Sequence, residues 1–153
     1  MSPSVLWSAG EVSGDLHAAA VARALRARRP DLSFWGIGGD ALRAVGTDLV
    51  RHAREREAVG FVEVIRRYPF FRRAFHDVLR RARAERPTVA VLVDYPGFNL
   101  RLARALCAMG VPVVYYICPQ VWAWRRARAR ILGASVRRLL VIFPFEADFF
   151  RGY

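Results

Sequence analysis

Five apolar residues in a row, Val89-Ala90-Val91-Leu92-Val93, run straight into one carboxylate, Asp94, and then into a Tyr95-Pro96-Gly97 turn. A short apolar run bounded by turn residues suits a strand covered on both faces, as in a parallel sheet flanked by helices. The carboxylate then sits where the strand stops. In open α/β sheets, ligands bind in the crevice outside the carboxyl ends of the strands. Asp94 is therefore the first candidate for chemistry.

The rest of the chain alternates in the same way. Val5 to Ser8 reads as a strand, and a helical pattern runs from Leu16 to Arg28 after a glycine-containing turn. Ser33 to Ile37 is a second strand, and Asp40 reads as the cap of a short helix, Ala41 to Val45. Asp48 to Arg51 offers a short strand in a polar segment, where His52 reads as a surface residue. Pro69 is expected to break or to start a helix in the following segment, with a second helix running to about Glu85. Helix Phe98 to Met109, strand Val113 to Ile117, helix Arg125 to Leu132, strand Arg138 to Phe143 and helix Phe145 to Phe150 complete the series. Strands separated by helices predict a parallel sheet with right-handed crossovers. The expected architecture is one α/β domain over 1–153, a Rossmann-like three-layer sandwich whose mainly parallel sheet has about five to six strands.

Composition narrows the setting. Apolar residues make up 54%, which predicts folding rather than disorder. No apolar run approaches the ~18 residues of a transmembrane helix. The N-terminus lacks a basic stretch ahead of an apolar core, so no signal peptide is expected. The expectation is a cytoplasmic protein, soluble or surface-associated. The net charge is +12, and every basic residue is Arg. Either a coding bias or attraction to a polyanion or anionic membrane face accounts for this. Nucleic acid is the rival partner, but the aromatic–basic pattern of common RNA-binding folds is absent. Cys107 and Cys118 have no metal-ligand spacing, and a disulfide is not expected in a reducing compartment. Cys107 reads as core, and Cys118 lies in a loop.

Three strand-end loops carry the polar and aromatic groups: Gly10–Asp15, Asp94–Asn99 and Cys118–Trp124. A doubly wound sheet opens all three on one side. They offer Glu11, Ser13, Asp94, Asn99, Gln120, Trp122 and Trp124. Gly10 and Gly14 allow a tight turn whose N–H groups can face an anion at a helix N-terminus, although the dinucleotide fingerprint is absent. Ser13 or Asp15 reads as the cap of that helix. A carboxylate near a hydroxyl-bearing substrate can act as general base. Amides can hold hydroxyls, and indoles form flat apolar walls suited to sugars. This set suits a carbohydrate acceptor better than a nucleotide. No metal-ligand cluster, Ser-His-Asp order or phosphate-binding loop motif is present, so no cofactor is expected. Residues 59–73 mix bulky apolar groups with paired arginines. They read either as core with a solvated arginine face or as an element that sits on an anionic membrane or holds acyl chains.

Five motifs occur in order: Ala9-Gly10-Glu11-Val12-Ser13-Gly14-Asp15, Val59-Gly60-Phe61-Val62-Glu63-Val64, Asp94-Tyr95-Pro96-Gly97-Phe98-Asn99, Pro119-Gln120-Val121-Trp122-Ala123-Trp124-Arg125 and Phe143-Pro144-Phe145-Glu146. Together they resemble the N-terminal half of lipid-A-disaccharide synthases, over essentially the whole chain. The resemblance implies one half of a GT-B glycosyltransferase. Such an enzyme transfers diacylglucosamine from a UDP-activated donor to diacylglucosamine 1-phosphate, with inversion and release of UDP. Asp94 matches the family's proposed general base. The acidic glycine turn matches Gly10, Glu11, Ser13, Gly14 and Asp15. The membrane- or acyl-contacting segment matches Val62, Val64, Ile65, Tyr68 and Phe71. The implied location is peripheral, on the inner face of the inner membrane. Implied partners are the acylated glucosamine phosphate acceptor, the UDP-diacylglucosamine donor, an anionic membrane surface and a complementary C-terminal donor-binding half, with no nucleic acid. Gly97, Cys118, Gln120 and Val59 depart from the usual residues, which are Asp, Ser, Ser and Met. The alternative is a non-catalytic lipid- or membrane-binding remnant of such an enzyme.

Overall fold

The computed structural model describes residues 2–53, 61–119 and 126–153, with the side chains of 61–68 and 126 outside the description. Strand β1 (Ser4–Ala9) leads into α1 (Val12–Arg28), then β2 (Ser33–Gly38), α2 (Asp40–Ala44) and β3 (Asp48–His52). Helix α3 (Phe61–Glu85) crosses to β4 (Val89–Val93), followed by α4 (Pro96–Ala108) and β5 (Val113–Tyr116). Helix α5 (Arg126–Ser135), β6 (Arg138–Leu140) and α6 (Pro144–Phe150) close the chain. The six strands pair in the order β3-β2-β1-β4-β5-β6, every pair parallel. This is the doubly wound order, with its switch point between β1 and β4.

Alternation along the strands sorts side chains into two cores. Val5, Trp7 and Ala9 of β1 join Val91 and Val93 of β4 on one face, under Ala18, Ala19 and Ala22 of α1 and Leu42 of α2. Leu6, Ala90, Leu92, Val113 and Tyr115 face the other way, under α3, α4 and α5. The three layers expected from the sequence are therefore present. β4 is buried on both faces, as its unbroken apolar run requires. The backbone of β2 approaches β1 so closely that a Cβ on Gly36, which has φ +144°, would meet the Trp7 carbonyl oxygen at 2.0 Å. Only glycine takes that conformation without strain.

Several local expectations are corrected. Pro69 neither breaks nor starts a helix: it lies inside α3, which is 25 residues long. Proline's fixed φ is compatible with a helix and removes one hydrogen bond. Beyond it Ala74, Val78, Leu79 and Ala82 bury a face that holds the helix on the sheet. The last strand ends at Leu140 rather than Phe143. The buried Glu146 carboxylate accepts the N–H groups of Ile142 (3.1 Å) and Phe143 (3.0 Å), which takes them out of the ladder. Cys107 is exposed rather than core, because α4 buries Leu102, Ala103 and Leu106 and places Cys107 just past that face. Asp40 is the first residue of α2 and not its cap. It accepts or shares a hydrogen bond with His52 at 2.9 Å, and that imidazole is mostly covered rather than a surface group. Among the described residues, no helix is long and apolar enough to cross a membrane.

Candidate functional site

Ala9 and Val93 are register partners at the ends of β1 and β4. The residues after them, Gly10 and Asp94, therefore flank one crevice at the carboxyl edge of the sheet. It lies at the switch point, where doubly wound folds bind ligands.

Asp94 and Tyr95 are consecutive left-handed residues, with φ of 46° and 48°. For non-glycine residues this conformation costs on the order of 1–3 kcal/mol each and persists where surrounding contacts impose it. Those contacts are visible. The Asp94 N–H donates to the Tyr116 carbonyl at 3.0 Å. Its carbonyl accepts from the Tyr115 hydroxyl at 2.6 Å and from Asn99 Nδ2 at 2.9 Å. Asn99 is fully buried. Its Nδ2 also reaches the carbonyls of Ser8 (3.2 Å) and Val93 (3.1 Å), and its Oδ1 accepts from the Ser8 hydroxyl at 2.7 Å. One carboxamide thus ties the end of β1 to the end of β4.

With its main chain fixed on both sides, Asp94 presents a half-buried carboxyl to the crevice. Burial raises its pKa above the ordinary carboxylate range, and the Tyr95 N–H partly offsets this by bonding the charged form. A carboxylate raised in this way is a better proton acceptor than a solvated one. Tyr115 lies buried beside it, and burial pushes its hydroxyl well up, with the Asp94 and Cys118 charges adding to the effect. It therefore serves as a hydrogen-bond donor throughout the neutral range.

Across the crevice, α1 begins one turn earlier than its sequence pattern suggests, at Val12. Glu11 is its N-cap residue and makes no side-chain cap bond. Glu11 and Ser13 are exposed, while Gly10 and Gly14 are buried. Gly14 lies against Val93, the nearest side chain to where its Cβ would stand. This holds the start of α1 on β4.

Asp15 and Asn99 occupy places different from those expected. Asp15 is buried. It accepts from the backbone N–H groups of Gly39 (2.7 Å), Ala41 (2.9 Å) and Leu42 (3.2 Å), so it caps α2 rather than its own helix. A Cβ on Gly39 would stand 2.6 Å from its Oδ2, which explains the glycine there. Asn99 has no amide group left for a substrate hydroxyl, because its hydrogen bonds go to Ser8, Val93 and Asp94. Both act as positioning residues. Gln120, Trp122 and Trp124 lie outside the described residues, as do the side chains of Val62, Val64, Ile65 and Tyr68. Phe71 is half-buried and stacks on Tyr95, with ring centroids 6.3 Å apart. Tyr115, Tyr95 and Ser8 were not singled out from the sequence. For Tyr115 a signal existed: two-residue alternation from Val113 places it on the same covered face. Among the described residues, no three His, Cys, Asp or Glu side chains converge as a metal site.

Residues 5–153 match the family model described as lipid-A-disaccharide synthetase. The chain belongs to the lipid-A-disaccharide synthetase family. It is 51% identical over 149 residues to the lipid-A-disaccharide synthase of Myxococcus xanthus (strain DK1622), covering 97% of this chain and 39% of that protein. It is 47% identical over 148 residues to the enzyme of the same name from Koribacter versatilis (strain Ellin345), covering 96% and 39%. The chain thus spans about two-fifths of the length of these synthases. Among solved structures, Acinetobacter baumannii MurG is similar, with a TM-score of 0.59 at 12% identity over 94% of this chain and 41% of that one. CalG4, the calicheamicin glycosyltransferase, gives 0.50 at 14% identity over 99% and 51%. These neighbours are GT-B glycosyltransferases, so the synthetase-family chain has the fold of one half of a GT-B enzyme.

Proposed function

We propose that this chain is the acceptor-side half of an inverting glycosyltransferase of lipid A biosynthesis. Such an enzyme joins UDP-diacylglucosamine to diacylglucosamine 1-phosphate and releases UDP. The observation that carries this reading is the Asp94 carboxyl, raised by burial and held at the sheet's switch point by Tyr115 and Asn99. The 51% identity to a lipid-A-disaccharide synthase supplies the substrate class. In the proposed step Asp94 takes the proton of the acceptor hydroxyl. The hydroxyl oxygen bonds the donor's anomeric carbon, the bond from that carbon to the UDP oxygen breaks, and the pair of electrons leaves on UDP. Glu11, Ser13 and the first N–H groups of α1 border the same crevice and are suited to orienting the acceptor. Gln120, Trp122 and Trp124 are proposed as further acceptor contacts, on the motif they form. A complementary donor-binding half, and attachment through α3 to the inner face of the inner membrane, belong to the same proposal.

The test is turnover of UDP-diacylglucosamine and diacylglucosamine 1-phosphate by a protein carrying both halves of the fold. Asp94→Asn should reduce kcat by about 10²–10⁴, the usual contribution of a general base. Near-normal turnover in that variant would remove the assigned role.

A further inference from the structure

Pro144 opens α6, and Glu146 is the third residue of that helix. A glutamate at this position commonly turns back to the backbone ahead of its own helix. Such a cap needs no burial, yet Glu146 is 1% exposed. Burying a carboxylate is costly unless its bonds are made, and α6 has only seven residues to hold. The burial is out of proportion to capping so short a helix.

The bonds that Glu146 makes lead towards Asp94. Its Oε2 accepts from the N–H groups of Ile142 at 3.1 Å and Phe143 at 3.0 Å. These fix the chain just beyond Leu140, the last residue of β6. The Leu140 carbonyl accepts from the Ile117 N–H at 3.1 Å. The other end of that same peptide, the Tyr116 carbonyl, accepts from the Asp94 N–H at 3.0 Å. One peptide plane thus joins the end of β6 to the residue that carries the candidate base. Ile117 itself has φ 63°. For a β-branched residue this is an outlier, and such strain persists where the surroundings impose it. Among the described residues, three of the four non-glycine residues with positive φ, Asp94, Tyr95 and Ile117, follow the carboxyl ends of β4 and β5. Cys118, next in the chain, is buried. Burial pushes its thiol up to about 12, and the charges of Glu146 and Asp94 add to this, so both carboxylates lie near one thiol.

We infer that Glu146 is a positioning residue for the proposed reaction: from α6 it fixes the end of β6 and, through the Tyr116–Ile117 peptide, the main chain of Asp94. The inference rests on the proposed role of Asp94 and extends the machinery to a residue that acts through others. It depends on the reach of the side chain, not on its charge. Glu146→Gln keeps the reach and an oxygen able to accept both N–H groups. Glu146→Asp keeps the charge and is one methylene short.

The experiment has two readouts. The first is amide hydrogen exchange of this chain, followed by NMR. In Glu146→Asp the Ile117 and Asp94 amides should exchange about tenfold faster or more, the scale of one lost hydrogen bond to a charged group. The Thr88 amide, which donates to the Ser4 carbonyl at 2.9 Å at the opposite edge of the sheet, should keep its rate. Glu146→Gln should leave all three rates close to the wild type. Unchanged rates at Ile117 and Asp94 in Glu146→Asp, a rise that includes Thr88, or the same rise in Glu146→Gln would each overturn the coupling. The second readout is turnover by a protein carrying both halves of the fold. Glu146→Asp should lower kcat about tenfold or more with KM for the acceptor little changed, since small misplacements cost rate. Glu146→Gln should retain most of kcat. Wild-type kcat in Glu146→Asp, or the reverse order of the two variants, would overturn the positioning role. Asp94→Asn tests the underlying reading separately: near-normal turnover there removes the role of Asp94 and leaves the exchange result standing.

Discussion

Tyr115 donates its hydroxyl to the main-chain carbonyl of Asp94 at 2.6 Å, while Asn99 donates to the same oxygen at 2.9 Å. The peptide that carries the candidate base is thus held from β5 and from α4 at once. Tyr115→Phe keeps the buried ring and removes one of the two donors. The fold should lose about 0.5–1.5 kcal/mol, the net value of one hydrogen bond, measured by urea unfolding. If the hydroxyl positions Asp94, kcat should fall about tenfold or more with KM little changed, since small misplacements cost rate. Unchanged kcat would leave Tyr115 a purely structural role.

Asp94→Asn should separate stability from activity. Burial raises the folded-state pKa of Asp94, so the folded protein holds its proton more tightly than the unfolded chain. The stability associated with the protonated form is complete below the ordinary carboxylate range. It is lost as pH rises through the raised folded value. The wild type should therefore melt at or below the temperature of Asp94→Asn at neutral pH, and the gap should close on acidification. The carboxyl is half exposed, so the difference is small. Melting curves from pH 3 to 8 would show it, and a clear loss of stability at pH 7 in the variant would contradict it. With the role assigned to Asp94, the acid limb of kcat/KM should lie above the ordinary carboxylate range.

Asp15 satisfies three backbone N–H groups of a different helix. Asp15→Ala leaves them without that acceptor and should cost about 1–3 kcal/mol, read as a lower midpoint in urea. Where the variant is still folded, KM for the acceptor should match the wild type. A raised KM there would restore Asp15 as a substrate contact.

The two thiols should differ in reactivity. Cys118 is buried, and burial together with the Glu146 and Asp94 charges pushes its pKa up to about 12. Cys107 is exposed. Because the thiolate is the reactive form, iodoacetamide at pH 8 should label the native protein once, at Cys107, by peptide mass spectrometry. Rapid labelling of Cys118 would mean that its surroundings open readily.

The layers of the fold were legible because its signals are local. A five-residue apolar run into Asp94 can hardly be anything but a doubly covered strand, and Gly110 before Pro112 marks a helix end without reference to the rest of the chain. What the sequence hid is tertiary. Asp15 obeys the rule for a capping residue, but the N–H groups it caps begin 24 positions away. Asn99 looks like a substrate amide at a strand end, yet its hydroxyl partner, Ser8, is 91 positions distant. Pro69 reads as a break until the face beyond it is seen buried. Leu139-Leu140-Val141-Ile142-Phe143 looks like a full strand until Glu146 folds back onto its end.

The order β3-β2-β1-β4-β5-β6 also bears on how the protein reaches its native state. Strands β1, β2 and β3 pair with near neighbours in sequence, as do β4, β5 and β6, so each set can form early from local closures. Joining β1 to β4 spans the whole of α1 to α3, and contacts of such long range are the slow ones in folding. Gly10 and Asp94 follow the last register pair of that seam, Ala9 and Val93. The chemistry-bearing crevice is therefore expected to be the last part to assemble, and a partly folded chain could carry two sound halves and no site.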